Sequence, residues 1–166
     1  MSEQLAASKS SGGHATLARM AGEWEGTIAT WFEPDSIADQ SPIRGTIRTI
    51  MDGRFLLHEY TSSFGGKPTE GMVIYAYMLA YNRFQSAWID SFHTGTAIMF
   101  SEGEKDSARL DVLGHYDYVT PEFQQTWGWR TAIEQPEENK MIITAYNITP
   151  DGAEQKATET VYTRIK

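Results

Sequence analysis

The feature that most constrains the fold is a series of about ten short segments in which apolar and polar residues alternate. The segments are rich in Thr, Ile, Val, Trp and Tyr, which favour extended strands. The expected strands span 23–33, 43–51, 54–63, 70–81, 84–91, 95–102, 107–116, 123–134, 139–148 and 154–165. The pattern predicts an all-β fold.

Short turns separate the predicted strands, for example at Asp52-Gly53 and Gly65-Gly66. Tight turns make sequential strands antiparallel neighbours, and a sheet of about ten strands must twist. Closing such a sheet removes the exposed edges that promote aggregation. We therefore predict a closed antiparallel up-and-down barrel of about ten strands. A two-sheet sandwich is the alternative architecture.

The N-terminal region has a different character from the rest of the 166-residue chain. Residues 1–13 are rich in Ser and Gly, and we expect a flexible leader there. Leu17, Met20 and Ala21 recur at helical spacing before Gly22, which predicts one short helix within 14–21. Residues 14–166 are then expected to form a single domain.

Charge and composition exclude several classes of function. The chain carries 22 acidic and 14 Lys or Arg side chains, a net charge of −8. Such a surface repels phosphate backbones and anionic lipids, so we expect neither nucleic acid nor membrane as a partner. The sequence contains no cysteine, which rules out disulfides and thiol chemistry and suits a reducing compartment. We expect a cytoplasmic protein.

The two ends of the predicted barrel carry residues that could meet. Trp24 lies in the first predicted strand and Arg164 in the last. In a closed meander these strands are neighbours, so the Arg164 guanidinium is expected to lie across the Trp24 indole. Such a cation–π contact contributes about 0.5–2 kcal/mol. We therefore predict a structural clamp at this end of the barrel.

An ordered series of motifs resembles the calycin superfamily, which includes lipocalins and fatty-acid-binding proteins. More closely, it resembles a bacterial, lipocalin-like family described only as a domain of unknown function. The motifs are Gly22-Glu23-Trp24, Gly53-Arg54-Phe55-Leu56, Glu70-Gly71, Tyr81-Asn82, Trp88-Ile89-Asp90-Ser91 and Tyr162-Thr163-Arg164. Tyr81-Asn82 stands where the resemblance would place Tyr-Asp. The resemblance implies a lipocalin-like barrel and no particular activity.

The candidate ligand-binding residues are aromatic or polar and share strand faces by alternation. They are His58, Tyr60, Tyr75, Tyr77, Trp88, Asp90, Trp127 and Trp129. Aromatic area with a few polar groups suits a small apolar or amphipathic ligand, although the same residues could fill a packed core. Polarity alone does not decide which face is the interior. We favour a ligand cavity, because ten strands enclose a wide interior.

Other functions remain open from the sequence. Asp90 and His93 could form an acid–base pair in a small-molecule enzyme, although an aspartate at a strand end more often caps a turn. His58, His93 or His115 could ligate haem, but the four histidines lack the spacing of a metal site. An oligomeric interaction module is the last alternative. We predict no catalytic residues, no metal and no required cofactor.

Overall fold

The computed structural model describes residues 2–165, which form two helices and ten strands. The helices are α1 (Ser2–Ser11) and α2 (Gly13–Ala18). The first five strands are β1 (Gly22–Glu33), β2 (Ser36–Ile50), β3 (Phe55–Phe64), β4 (Lys67–Met78) and β5 (Arg83–Asp90). The remaining strands are β6 (Met99–Gly103), β7 (Leu110–Val119), β8 (Gln124–Glu137), β9 (Lys140–Ile148) and β10 (Glu154–Arg164).

The ten strands form one closed antiparallel barrel in sequence order, and β10 pairs with β1 to complete it. The predicted up-and-down barrel is therefore confirmed, and the sandwich alternative is wrong. The β2 strand begins at Ser36, seven residues before the predicted start, because its first half pairs with β1. The strands otherwise lie close to their predicted positions, since each turn has residues that end a strand.

The N-terminal segment differs from the expected flexible leader, since Ser2–Ser11 form α1. Its sequence has almost no helical amphipathicity, so alternation and periodicity gave no signal. Contacts with the rest of the protein hold it. The Ser8 hydroxyl lies 2.8 Å from His14 Nδ1, and Lys9 pairs with Asp52 at 3.0 Å. The short helix predicted within 14–21 is present as α2.

The predicted clamp residues lie at the end of the barrel that carries the helices. Arg164 stacks with its guanidinium carbon 4.3 Å from the centroid of the Trp24 indole. Its nitrogens also donate to the main-chain carbonyls of Arg19, Ala21 and Glu138. The indole Nε1 of Trp24 donates to the Met20 carbonyl at 2.9 Å. The stacked pair therefore ties the first strand, the last strand and the segment after α2 together.

The register settles which strand faces line the interior. On β3, Leu56 and His58 are buried while Glu59 is exposed, so the face shared by Leu56, His58 and Tyr60 points inward. The inward side chains at the helix end form a dry core around Trp24, Phe84, Met141 and Tyr162. The interior near the opposite end is less completely filled, and the candidate site lies there.

Candidate functional site

The barrel interior contains a cavity with about 900 Å³ of space free of protein atoms, open solvent at its mouth included. Side chains from every strand except β7 line it. Phe64, Phe92 and His93 belong to the end of the barrel opposite the helices, and they mark its mouth. The lining surface is mostly apolar and aromatic with a few polar groups, which is the usual composition of a site for a small organic molecule.

Two stacked indoles form the main apolar wall. The rings of Trp88 and Trp129 are stacked, with 5.3 Å between centroids and 29° between their planes. Met99 packs against the same cluster, and Val73 and Ile143 extend the apolar lining towards the core. Flat aromatic surfaces of this size supply binding free energy by burying the apolar part of a ligand.

Tyr60 presents a hydroxyl whose position is fixed by Trp88. The indole Nε1 of Trp88 donates to the Tyr60 oxygen at 2.9 Å. Burial, reinforced by the nearby charge of Asp90, raises the pKa of Tyr60 far above its ordinary value. The hydroxyl therefore keeps its proton. Because its oxygen already accepts a bond from Trp88, its own O–H can donate to a ligand in the cavity.

His58 lies at the inner end of the cavity and is 3% exposed. Its Nε2 lies 3.1 Å from the Tyr162 hydroxyl, whereas its buried Nδ1 has no hydrogen-bond partner among the described residues. Burial lowers the pKa of His58 to about 4. The imidazole is therefore neutral at physiological pH, and it contributes an uncharged polar surface to the cavity wall.

Asp90 ends β5 at the cavity mouth and accepts several hydrogen bonds. Its Oδ1 accepts the backbone N–H groups of Phe92, His93 and Thr94 at 2.5–3.2 Å. Its Oδ2 lies 2.7 Å from Nδ1 of His93. The carboxylate thus caps the turn after β5 and also orients an imidazole. The expected turn cap is therefore present, and Asp90 also contacts His93, the residue considered with it as an acid–base pair.

The His93 ring completes the mouth of the cavity. Its centroid lies 5.4 Å from the Trp88 ring and 5.4 Å from the Trp129 ring. Phe92 beside it stacks on Phe64 at 4.5 Å, and Phe64 in turn contacts the exposed Phe32 at 5.5 Å. A ligand that entered the barrel would therefore pass an imidazole and a short row of aromatic rings.

Two of the predicted ligand-binding residues lie outside the lining. Tyr77 packs against His14 of α2, with 5.7 Å between ring centroids, and against Phe84 at 4.9 Å. It therefore supports the helix end of the barrel. Trp127 of β8 lies opposite Tyr116 of β7 and does not line the cavity. Its buried Nε1 has no hydrogen-bond partner among residues 2–165. The other six predicted residues line one cavity.

A set of hydroxyl side chains and mouth residues that were not predicted as site residues also line the cavity. They include Thr30, Ser86, Ser101, Phe64, Phe92, Met99, Thr131, Thr158 and Thr160. Small hydroxyl residues occur throughout strands, so their type gives no signal. Their inward position could be found only by counting along each strand which residues alternate onto the inner face, starting from a residue known to point inward such as Trp24.

The charges of the lining are few. Among the described residues that line the cavity, Asp90 is the one carboxylate, and none is Lys or Arg. His115, the third histidine considered for haem, is exposed on β7 and lies outside the lining. In the described chain, no group of three or more His, Asp or Glu side chains is placed to hold a metal ion.

Comparison with known proteins identifies a family and no activity. A family model described as "Protein of unknown function (DUF1579)" matches residues 9–164. No curated protein matches the chain. No helix within residues 2–165 is long and apolar enough to cross a membrane. Because the matched region includes α2 and all ten strands, the chain belongs to the DUF1579 family.

Proposed function

We propose that the protein binds a small, neutral, amphipathic molecule inside its barrel. The observation that carries this proposal is an aromatic cavity that holds an ordered hydroxyl donor and no lysine or arginine among its described lining residues. Apolar area and one or two fixed polar groups are the usual composition of such sites. On this proposal the fold is a calycin-type barrel that works as a carrier or sensor.

The preference for a neutral ligand follows from electrostatics. A fatty-acid carboxylate in the cavity would lose its hydration without gaining a Lys or Arg partner, which is costly in an apolar interior. The Asp90 carboxylate faces the same cavity and would repel it. A ketone, alcohol or ester oxygen carries no such penalty and could accept a hydrogen bond from Tyr60.

A neutral fluorescent probe, N-phenyl-1-naphthylamine, tests uptake directly. Wild-type protein should enhance its fluorescence with a stoichiometry of one probe per chain. Ser86→Phe fills the cavity, whereas Ala87→Phe adds the same ring on the outward face of β5. We expect Ser86→Phe to abolish uptake and Ala87→Phe to retain it. Equal uptake by all three folded proteins would place the probe outside the barrel and refute the proposal.

A series of ten-carbon compounds that differ in their polar group tests the preference for a neutral ligand. 2-Decanone and 1-decanol should raise the melting temperature, because a ligand that binds only the folded state stabilises it. Decanoate at the same free concentration should raise it less. A larger shift with decanoate would show that the site selects anions, and the neutral-ligand proposal would then be wrong.

Native mass spectrometry of protein purified from its own host identifies a resident ligand. An excess mass that disappears on denaturation would give the ligand mass directly. A Soret absorption band in the same sample would instead support haem, and loss of that band in His93→Ala would identify the axial ligand. A defined multimer without excess mass would favour the oligomeric module. We also propose a cytoplasmic location, which the absence of cysteine supports.

A further inference from the structure

We propose that His93 is a general base that removes a proton from the carbon next to the carbonyl group of a neutral ketone held in the cavity. In this proposal, Tyr60 donates a hydrogen bond to the carbonyl oxygen and Asp90 is a positioning residue. The inference deepens the proposed function, because it rests on the same cavity and names the substrate class. It adds a reaction to what would otherwise be a binding site.

Asp90 sets the orientation of the His93 imidazole. Asp90 Oδ2 lies 2.7 Å from Nδ1 of His93, and the Asp90 side chain is only 5% exposed. Burial alone would raise the pKa of Asp90, but the bonds from His93 and from the backbone of Thr94 and His93 hold it below its ordinary value. An ionised carboxylate accepts a hydrogen bond from Nδ1–H, which leaves the lone pair on Nε2.

The bond between Asp90 and His93 is additional to turn capping. The three backbone N–H groups that define the turn bind Oδ1 of Asp90. Capping therefore needs one carboxylate oxygen, and the second is left for the imidazole. A pair in which a buried carboxylate orients a histidine and stabilises its protonated form is the arrangement that general-base catalysis uses.

His93 and Tyr60 both lie beside one indole of the cavity wall. The His93 ring packs against both Trp88 and Trp129, the indoles that form the cavity wall, and its side chain is 23% exposed. Tyr60 is bonded to the same Trp88. The base and the hydroxyl donor therefore both contact one indole, so a small planar ketone on that indole would lie near both.

The reaction balances without a further reactant. His93 Nε2 takes the proton, and the electron pair of the broken C–H bond forms a carbon–carbon double bond. The π electrons of the carbonyl group move onto its oxygen, where the Tyr60 O–H stabilises the developing negative charge. Return of a proton from Nε2 to either end of the enolate regenerates the ketone or gives an isomer. No metal, oxidant or covalent intermediate is needed.

The contacts of His93 favour this reaction over acyl transfer. No described hydrogen bond joins His93 to a serine or threonine hydroxyl, and Thr94 Oγ1 donates to the Asp90 carbonyl instead. A nucleophile activated by the histidine would need such a bond. One base and one hydroxyl donor are the minimum set for enolisation, in which no leaving group departs.

The experiment uses full-length protein and the probe 4-phenyl-2-butanone in D₂O. Proton NMR follows the loss of the signals from the hydrogens beside the carbonyl, and the melting temperature reports binding of the same probe. Wild-type protein should accelerate exchange. His93→Gln should reduce the protein-dependent rate by about 100-fold, the usual contribution of a positioned base, while the probe still raises the melting temperature. His115→Gln on the exposed face of β7 is the control and should be unchanged.

Two further variants separate the proposed roles. Tyr60→Phe should lower the exchange rate more than the affinity, because the hydroxyl acts most strongly on the developing oxyanion. Asp90→Asn should lower kcat for exchange with little change in KM, because the imidazole is no longer held with its lone pair on Nε2. A purely structural Asp90 would change stability and leave kcat of the folded protein in place.

The outcomes distinguish the inference from the proposed function. Binding of the probe without accelerated exchange would overturn the inference and leave the binding function standing. Exchange that is unchanged in His93→Gln would also overturn it, because another group would then be the base. Failure of the probe and of the decane series to bind would overturn the proposed function and the inference together.

Discussion

Arg164 and Trp24 are stacked at 4.3 Å, and the same guanidinium binds three main-chain carbonyls at the helix end of the barrel. The relationship joins residues that are far apart in sequence but directly opposite each other in the β1–β10 register. Because Trp24 is 1% exposed, the contact lies at the edge of the dry core. The pair therefore couples barrel closure to core packing.

A double-mutant cycle should reveal this coupling. Trp24→Ala should lower the free energy of unfolding by about 3–5 kcal/mol, as for other buried aromatic residues. Arg164→Ala should lower it by about 1–2 kcal/mol, and the two losses should not add, because the residues touch. Urea denaturation of the two single variants and the double variant measures the cycle. Strict additivity would show that the stacking contributes nothing.

His58 should make the protein sensitive to mild acid. Its pKa is about 4 in the folded state against 6.5 for an ordinary histidine. Between these two pH values the unfolded chain binds a proton at His58 that the folded chain does not bind. Stability is therefore complete above about pH 6.5 and falls by up to about 3 kcal/mol as the pH drops towards 4. Urea denaturation at several pH values in this range should show that the free energy of unfolding depends less steeply on pH in His58→Gln than in the wild type. An identical slope would mean that other groups control acid unfolding.

Gly71 should be essential for the position of the Tyr60 hydroxyl. It faces Tyr60 across the β3–β4 pair, and a Cβ atom there would overlap the end of the Tyr60 ring. We expect Gly71→Ala to displace that ring and weaken uptake of N-phenyl-1-naphthylamine by at least tenfold, while circular dichroism shows an intact barrel. Ala76→Val, on the outward face of β4, is the control. Unchanged uptake in Gly71→Ala would show that the Tyr60 position does not matter for binding.

Ser8 should hold α1 against the barrel. Its hydroxyl bonds to His14 and the residue is buried, so Ser8→Ala should cost about 1 kcal/mol in local stability. Hydrogen exchange should become faster in α1 and stay slow in the strands. Lys9→Ala removes only an ion pair with the exposed Asp52, and we expect little change from it. Equal protection of α1 in both variants would contradict this assignment.

Much of the barrel could be predicted because strand signals are local. Alternation and turn residues located all ten strands, and Trp24 with Arg164 indicated how the ends meet. The helix α1 could not be predicted, since its polar sequence has no apolar face and its buried Ser8 is held by a contact with His14 beyond the segment itself.

The candidate site was predicted only in part. Aromatic type identified Tyr60, Trp88 and Trp129, but it also selected Tyr77 and Trp127, which lie outside the lining. All five side chains point inward by alternation, and their depth along the barrel separates them. Depth depends on the stagger of neighbouring strands, which no single strand encodes.

The pairing of β1 with β10 also has a consequence for how the chain folds. Residues such as Ala21 and Arg164, 143 positions apart, must come together before the barrel can close. Contacts over such separations cost loop entropy before they stabilise anything, so closure is expected late and folding slow. During synthesis the nascent sheet keeps two open edges until its final strand leaves the ribosome. A chaperone that shields β1 in that interval would protect the protein when it is most prone to aggregate.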